Sequence, residues 1–420
     1  MPPVVFHHTY ANGLTLLAER MDHVRSAALS IRVPAGCVYD PVDHRGIGTV
    51  LADLITRGAG NRDSRELSLA LDNLGFDRDE SVGPMQMSFW GSTLASNITP
   101  ALEIYSDILR RPHLPAEELE PAQALALQDI AGLEDEPRQK VLIELNQRHF
   151  PPPLGQDRRG TREGIESLTI EAIRAHYQSL FQPRGMILSV AGNIEWAPLQ
   201  EQVGRLFGDW QPGQSPDLQV GSPPSPREHI HKETTQTQIG IAFDSVPFGH
   251  ADYYAALGAV NVLSGGMSAR LFTEVREKRG LCYAVWATYK TFKDRACILC
   301  YAGTTNERAQ ETLDVTLGEL RRLQDGIEEE EVERVRAGLK SSLIMQEEST
   351  SARAGSLASD WYYLGRVRSF EEIQSAINGL TPKGIVNHLR RYPPRDFTIV
   401  TLGPKPLRLG KKAAKAGSAK

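Results

Sequence analysis

The chain has 420 residues, 40% of them hydrophobic and 24% charged, with a formal net charge of −5. That length exceeds one comfortable hydrophobic core and points to two or more domains. The mild negative charge excludes the footprint of a nucleic-acid or anionic-membrane binder, and no apolar run reaches the roughly 20 residues that span a bilayer.

In chain order, the start MPPVVFHHTYANG holds His7 and His8 but neither a basic region nor an apolar signal core. The expectation is a soluble, cytoplasmic protein, or a periplasmic one if a leader has been removed. GLTLLAER and SAALSIRVPAG read as strands. GIGTVLADLITRGAG reads as a helix with one apolar stripe, Ile47, Val50, Leu51, Leu54 and Ile55, stopped by Gly58 and Gly60. Thr49, Ala52 and Asp53 share the neighbouring face, at a spacing that in some hydrolases carries metal ligands. The stretch GQSPDLQVGSPPSPREH, residues 213–229, reads as a semi-extended linker. His229 and His231 then alternate at a strand start.

Residues 263–289, LSGGMSARLFTEVREKRGLCYAVWATY, read as a helix from about Ser268 to Lys278, a Gly280 stop and a strand from near Leu281. Cys297 and Cys300 form a C-x-x-C inside the strand RACILCYAGT, where residues three apart point to opposite faces about 10 Å apart. Such a pair neither bridges nor shares a zinc without distortion. The basic end, residues 406–420, reads as a disordered tail.

The chain also repeats itself. Leu168, Thr169, Ile173 and His176 match Leu380, Thr381, Ile385 and His388 at a constant offset of 212. Each copy reads as a threonine-capped helix, a Pro/Arg turn and a strand ending at glycine. The ILRRPHLPAEELE and ELRRLQDGIEEEE segments match as well, Arg110 with Arg321 at an offset of 211 and Glu118 with Glu331 at 213. The expected fold is therefore α+β, with two duplicated domains of about 200 residues, each a mostly antiparallel sheet packed with helices. The expected boundaries are 1–212, a linker over 213–229, 230–405 and the 406–420 tail. The repeat-equivalent His176 and His388 are expected to be structural.

Gly46 to Asp53 resembles, residue by residue, the G-x-A-H-F-L-E-H motif of the pitrilysin (insulinase) metallopeptidase family, in its mitochondrial processing peptidase-like branch. The resemblance implies a clam-shell pair of domains. It also implies that Thr49 and Asp53 stand where active members have zinc-binding histidines, and Ala52 where they have the general base. The family's third ligand, a glutamate 76 residues beyond the second histidine, corresponds to Asp129; an accessory glutamate corresponds to Ala122. Two carboxylates and a hydroxyl suit Mg²⁺ or Ca²⁺ better than zinc, and Ala52 accepts no proton. No metal is expected in this chain, and no peptide hydrolysis by this half.

The 263–289 segment resembles the family's C-terminal signature, in which an arginine and a tyrosine seven residues apart reach into a partner half's zinc site. The matching residues are Arg276 and Tyr283. Gly265 and Gly266 are candidate substrate-binding positions, since glycine permits close backbone approach, and an ordinary turn explains them equally. The resemblance implies a non-catalytic subunit, paired in a heterodimer or dimer of heterodimers with a paralogue that carries His-x-x-Glu-His and the zinc. Arg276 and Tyr283 would bind peptide substrate or stabilise the transition state there. The alternatives are a scaffolding subunit, like the family's core proteins in respiratory complexes, and a peptide-binding module without catalysis.

Overall fold

The computed structural model describes residues 4–214 and 217–408. Strands β1 (Val4–Thr9), β2 (Thr15–Arg20), β3 (Ser26–Val33), β4 (Asp77–Val82), β5 (Met87–Leu94) and β6 (Ile187–Gly192) form one sheet in the order β1-β2-β6-β3-β5-β4. Strands β7 (Arg227–His231), β8 (Gln236–Ser245), β9 (Cys282–Thr291), β10 (Ala296–Thr305) and β11 (Thr398–Gly403) form a second, in the order β7-β11-β8-β10-β9. Each sheet has a single parallel pair, β2–β6 and β7–β11, and is otherwise antiparallel. With β1 set aside, the two sheets have the same order and the same pairing pattern. The duplication expected from sequence is thus present as one α+β topology built twice.

The copies agree down to buried side chains. His176 and His388 each face a buried or half-buried aspartate: Asp40 Oδ1 lies 3.8 Å from His176 Nε2, and Asp252 Oδ2 lies 3.5 Å from His388 Nδ1. The two aspartates are themselves 212 positions apart. Asp40 also accepts a hydrogen bond from the Gly46 amide at 2.9 Å, where the helix Ile47–Leu54 begins.

The compact units are not the two contiguous halves expected. Among the described residues, one unit comprises residues 4–132, 156–214, 217–220 and 345–367, and the other 133–155, 221–344 and 368–408. The helix Pro137–His149 lies against β8 and β11, and the helix Thr350–Leu364 against β2, β3 and β6. Each repeat therefore supplies one helix to the sheet built by the other. These helices occupy equivalent places in the two repeats, so the exchange is reciprocal. The expected domain boundaries at 212 and 230 are corrected accordingly. The linker ends earlier than expected too, because Arg227–His231 is β7 and pairs in parallel with β11.

The exchanged helix explains why β2 and β6 are buried almost throughout instead of alternating. Leu16, Ala18, Leu188 and Val190 join the main core of their unit, while Leu17 and Ile187 pack on Leu357 and Ala358 of the incoming helix. Polar groups fix its register. Arg353 sets Nε 3.0 Å and Nη2 2.6 Å from the carboxylate of Glu19. Arg32 donates to the Gly355 carbonyl and to Ser359 Oγ, and Ser189 Oγ donates to the Ala354 carbonyl at 2.6 Å.

Cys297 and Cys300 are both free and fully buried in β10, as the strand reading requires, and burial pushes both thiols up to about 12. Of the expected tail, residues 406–408 are described: Gln310 donates to the Arg408 carbonyl and accepts from its amide. Residues 409–420 lie outside the described part of the chain. Among the described residues no helix is long and apolar enough to cross a membrane.

Candidate functional site

The helix Ile47–Leu54 buries its stripe as its periodicity requires, with Ile47, Val50, Leu51, Leu54 and the following Ile55 at most 1% exposed. It ends at Leu54, four residues before Gly58, and the left-handed Gly58 and Gly60 belong to the loop beyond. The polar positions beside the stripe are all engaged. Thr49 Oγ1 donates to the Arg158 carbonyl at 2.5 Å. Both oxygens of Asp53 accept from Arg57, one helical turn on, at 3.0 and 3.1 Å. Arg57 also faces Glu118 at 3.6 Å. Asp129 accepts from Arg159 Nε at 2.8 Å, and Arg159 reaches Asp157 at 3.2 Å. Ala122 is buried.

This donor set does not fit zinc. Each carboxylate already neutralises a guanidinium, which would stand within a few ångströms of any dication placed there and repel it. Among the described residues no group of three His, Cys, Asp or Glu side chains is gathered as a metal site. Arg57 was legible in the sequence as an i, i+4 partner of Asp53. Arg159 was not, since thirty residues separate it from Asp129.

The second unit places Arg276 and Tyr283 together. The helix expected over Ser268–Lys278 winds as a π-turn from Phe272 to Glu277, with the Lys278 amide donating to the Thr273 carbonyl five residues back. The left-handed Gly280, at φ +59°, closes it; the Gly280 amide donates to Arg276 O and the Leu281 amide to Val275 O. In the next strand Gly303 pairs with Ala284 and Thr304 with Cys282, so Tyr283 is the extra residue of a β-bulge. One extra residue in the helical turn and one in the strand thus flank the two side chains. Both irregularities re-aim side chains and recur beside functional sites.

The Arg276 guanidinium carbon lies 4.9 Å from the centre of the Tyr283 ring and 4.7 Å from that of Phe272. Tyr283 is 81% exposed. The turn beneath is held by Glu274, which accepts from Lys278 at 2.7 Å and Arg279 at 2.8 Å. Those hydrogen bonds, that of Lys278 first, hold its carboxyl at about 2, well below the ordinary range. The Arg308 guanidinium donates to the Gly280 carbonyl at 2.5 Å and tethers the corner. The result is a half-buried, multi-donor guanidinium beside an exposed phenol.

Gly265 ends the helix Tyr253–Ser264, its amide donating to Asn261 O at 2.7 Å, and a Cβ there would meet that carbonyl at 2.5 Å. Gly266 has φ +147° and open space around its Cβ position. Both line a cavity of about 160 Å³ with Asn261, Arg334, Val335 and Gly338. Neither Arg276 nor Tyr283 lines it, so the glycine pair and the Arg/Tyr pair are separate features. Phe272 was the residue missed from sequence, although its position four before Arg276 was a usable signal.

Two family models match the chain: the one described as insulinase, peptidase family M16, over residues 15–161, and the one described as peptidase M16 inactive domain, over residues 167–339. Relatives include a Rickettsia bellii protein described as an uncharacterized zinc protease, 26% identical over 399 residues that cover 94% of this chain and 97% of the relative. A Bacillus subtilis protein of the same description is 25% identical, covering 96% and 98%. Among solved structures, a peptidase M16 inactive domain from Pseudomonas fluorescens superposes with a TM-score of 0.88 at 19% identity, covering 97% of this chain and 99% of that one. A protease from Helicobacter pylori gives 0.86 at 19% identity, covering 96% and 100%. The chain belongs to the insulinase (M16) metallopeptidase family.

Proposed function

We propose that this chain is the non-catalytic subunit of a two-subunit zinc endopeptidase. It lends Arg276 and Tyr283 to the active site of a paralogue that carries His-x-x-Glu-His and holds the zinc. The observation that carries this reading is a contrast: the former metal positions are tied up by Arg57 and Arg159, while the Arg/Tyr pair is flanked by two backbone irregularities, with Tyr283 left facing solvent.

Peptide hydrolysis builds negative charge on the scissile carbonyl oxygen. A guanidinium and a phenol placed beside it donate hydrogen bonds that strengthen as the charge develops, and loss of one such donor costs about 10²–10³ in rate. The planar guanidinium also suits paired hydrogen bonds to a substrate backbone. The open backbone at Gly265–Gly266 is a second contact for peptide, apart from the Arg/Tyr pair. On this reading the chain carries no zinc of its own.

The test is reconstitution. Purified alone, the chain should bind no stoichiometric zinc and cleave no peptide. Mixed with the zinc-binding paralogue from the same genome, it should restore cleavage of an internally quenched peptide. Arg276→Ala and Tyr283→Phe should each slow turnover in a complex that still assembles. Full turnover in both variants would put a scaffolding role in place of this one.

A further inference from the structure

Among the described residues, Lys278, Arg279 and Arg322 at the π-turn meet carboxylates, and Arg308 spends its donors on the Arg279 and Gly280 carbonyls. Glu274 takes Lys278 and Arg279, with Arg322 at 3.9 Å, and Arg322 also meets Glu319 at 2.8 Å. Arg276 is different. Among the described residues no carboxylate pairs with its guanidinium, and its neighbours are two aromatic faces. A carboxylate would fix an arginine by consuming its donors and cancelling its charge. An aromatic face fixes it through the ring quadrupole and leaves the in-plane N–H groups free.

The two faces are not equivalent. Tyr283 stands in solvent on a strand bulge and is itself an intended donor. Phe272 is half-buried within the same π-turn as Arg276, whose backbone is clamped through Glu274 and the Gly280 corner. It is also purely apolar, with nothing to donate. Resting on the reading above, we infer that Phe272 is a positioning residue for the reaction: its ring face holds the Arg276 guanidinium beside Tyr283 while leaving the guanidinium's donors and charge unspent.

The experiment has one readout that needs no partner. In the ¹⁵N-labelled full chain, the Arg276 Nε–H resonance is identified by its loss in Arg276→Lys. Ring currents should place it upfield of the other arginines. Phe272→Leu, close to phenylalanine in size, should move it back, and Phe272→Tyr should not. In the reconstituted pair, Phe272→Leu should lower kcat about tenfold with KM for the quenched peptide nearly unchanged, and Phe272→Tyr should restore it. An unmoved resonance in Phe272→Leu, an unchanged kcat, or a failure of Phe272→Tyr to rescue overturns the inference. A full-speed Arg276→Ala pair overturns the assigned function instead, a result that the resonance of the isolated chain cannot imitate.

Discussion

Arg353 and Glu19, 334 positions apart in sequence, form a buried two-nitrogen ion pair in which the arginine is 5% and the glutamate 1% exposed. The pair joins the exchanged helix to the far end of β2, and Glu347 meets the same guanidinium at 2.6 Å. Arg353→Ala would leave a carboxylate buried without its counter-charge. It should destabilise the unit by about 3–5 kcal/mol, and Glu19→Gln added to it should recover part of that loss. Urea unfolding of the four members of the cycle measures the coupling. Limited proteolysis should find new cleavage within residues 345–367 in the single variant.

The pairing of Asp53 with Arg57 and of Asp129 with Arg159 leads to a second prediction. Thr49→His, Asp53→His and Asp129→Glu together rebuild the ligand set but leave Arg57 and Arg159 beside it. Zinc binding by this triple variant should be weak. Adding Arg57→Leu and Arg159→Leu should tighten it at least about tenfold, because two positive charges leave the vicinity of the dication. Titration calorimetry with Zn²⁺ alone checks this; equal affinities would show that the arginines do not control the site.

Asp40 and His176 should give opposing pH slopes. Burial pushes the Asp40 carboxyl up to about 7. Its folded pKa thus lies above the unfolded one, and its contribution to stability, full below about 4, is lost as pH rises through 7. Burial, with the charge of His44 beside it, pushes His176 down to about 4, so its contribution is present above about 6.5 and lost as pH falls toward 4. Asp40→Asn removes the first slope and supplies an amide N–H toward His176. Relative to the unsubstituted chain, that variant should gain on the order of 2 kcal/mol between pH 5 and pH 8. Denaturant unfolding at the two pH values measures it, and a flat difference would refute it.

At Gly280 the backbone, and not crowding, sets the cost of a side chain. A Cβ there would meet only Arg308 Nη1, at 3.4 Å, yet φ is +59°. Gly280→Ala should cost about 1 kcal/mol, and Gly280→Asn less, since asparagine tolerates the left-handed region. A shift of the denaturant midpoint that follows side-chain size instead of conformation would contradict this.

Much of the architecture was legible because it rests on local chemistry. The apolar stripe of the Ile47–Leu54 helix, the threonine caps at Thr169 and Thr381, and the buried Cys297 and Cys300 all follow from periodicity and capping. The helix exchange was not legible: nothing in PRQKVLIELNQRH or TSARAGSLASDWYYL states which of two similar sheets it will cover. The site divides in the same way. The seven-residue interval from Arg276 to Tyr283 was readable, but the two insertions that aim them were not. A π-turn and a bulge are each a single-residue departure from regular winding, set by how Val275 and Leu281 pack in the core and by the left-handed corner at Gly280.

The reciprocal loan of helices has a consequence for synthesis on the ribosome. The first sheet is complete once β6 has emerged, but the segment that covers its second face is not translated until residue 367. At about 5–20 residues per second, that leaves Leu17, Ile187 and the carboxylate of Glu19 uncovered for roughly 9–35 seconds. A chain cut in the 213–226 connector would lengthen that interval indefinitely, leaving two fragments that each need the other's helix.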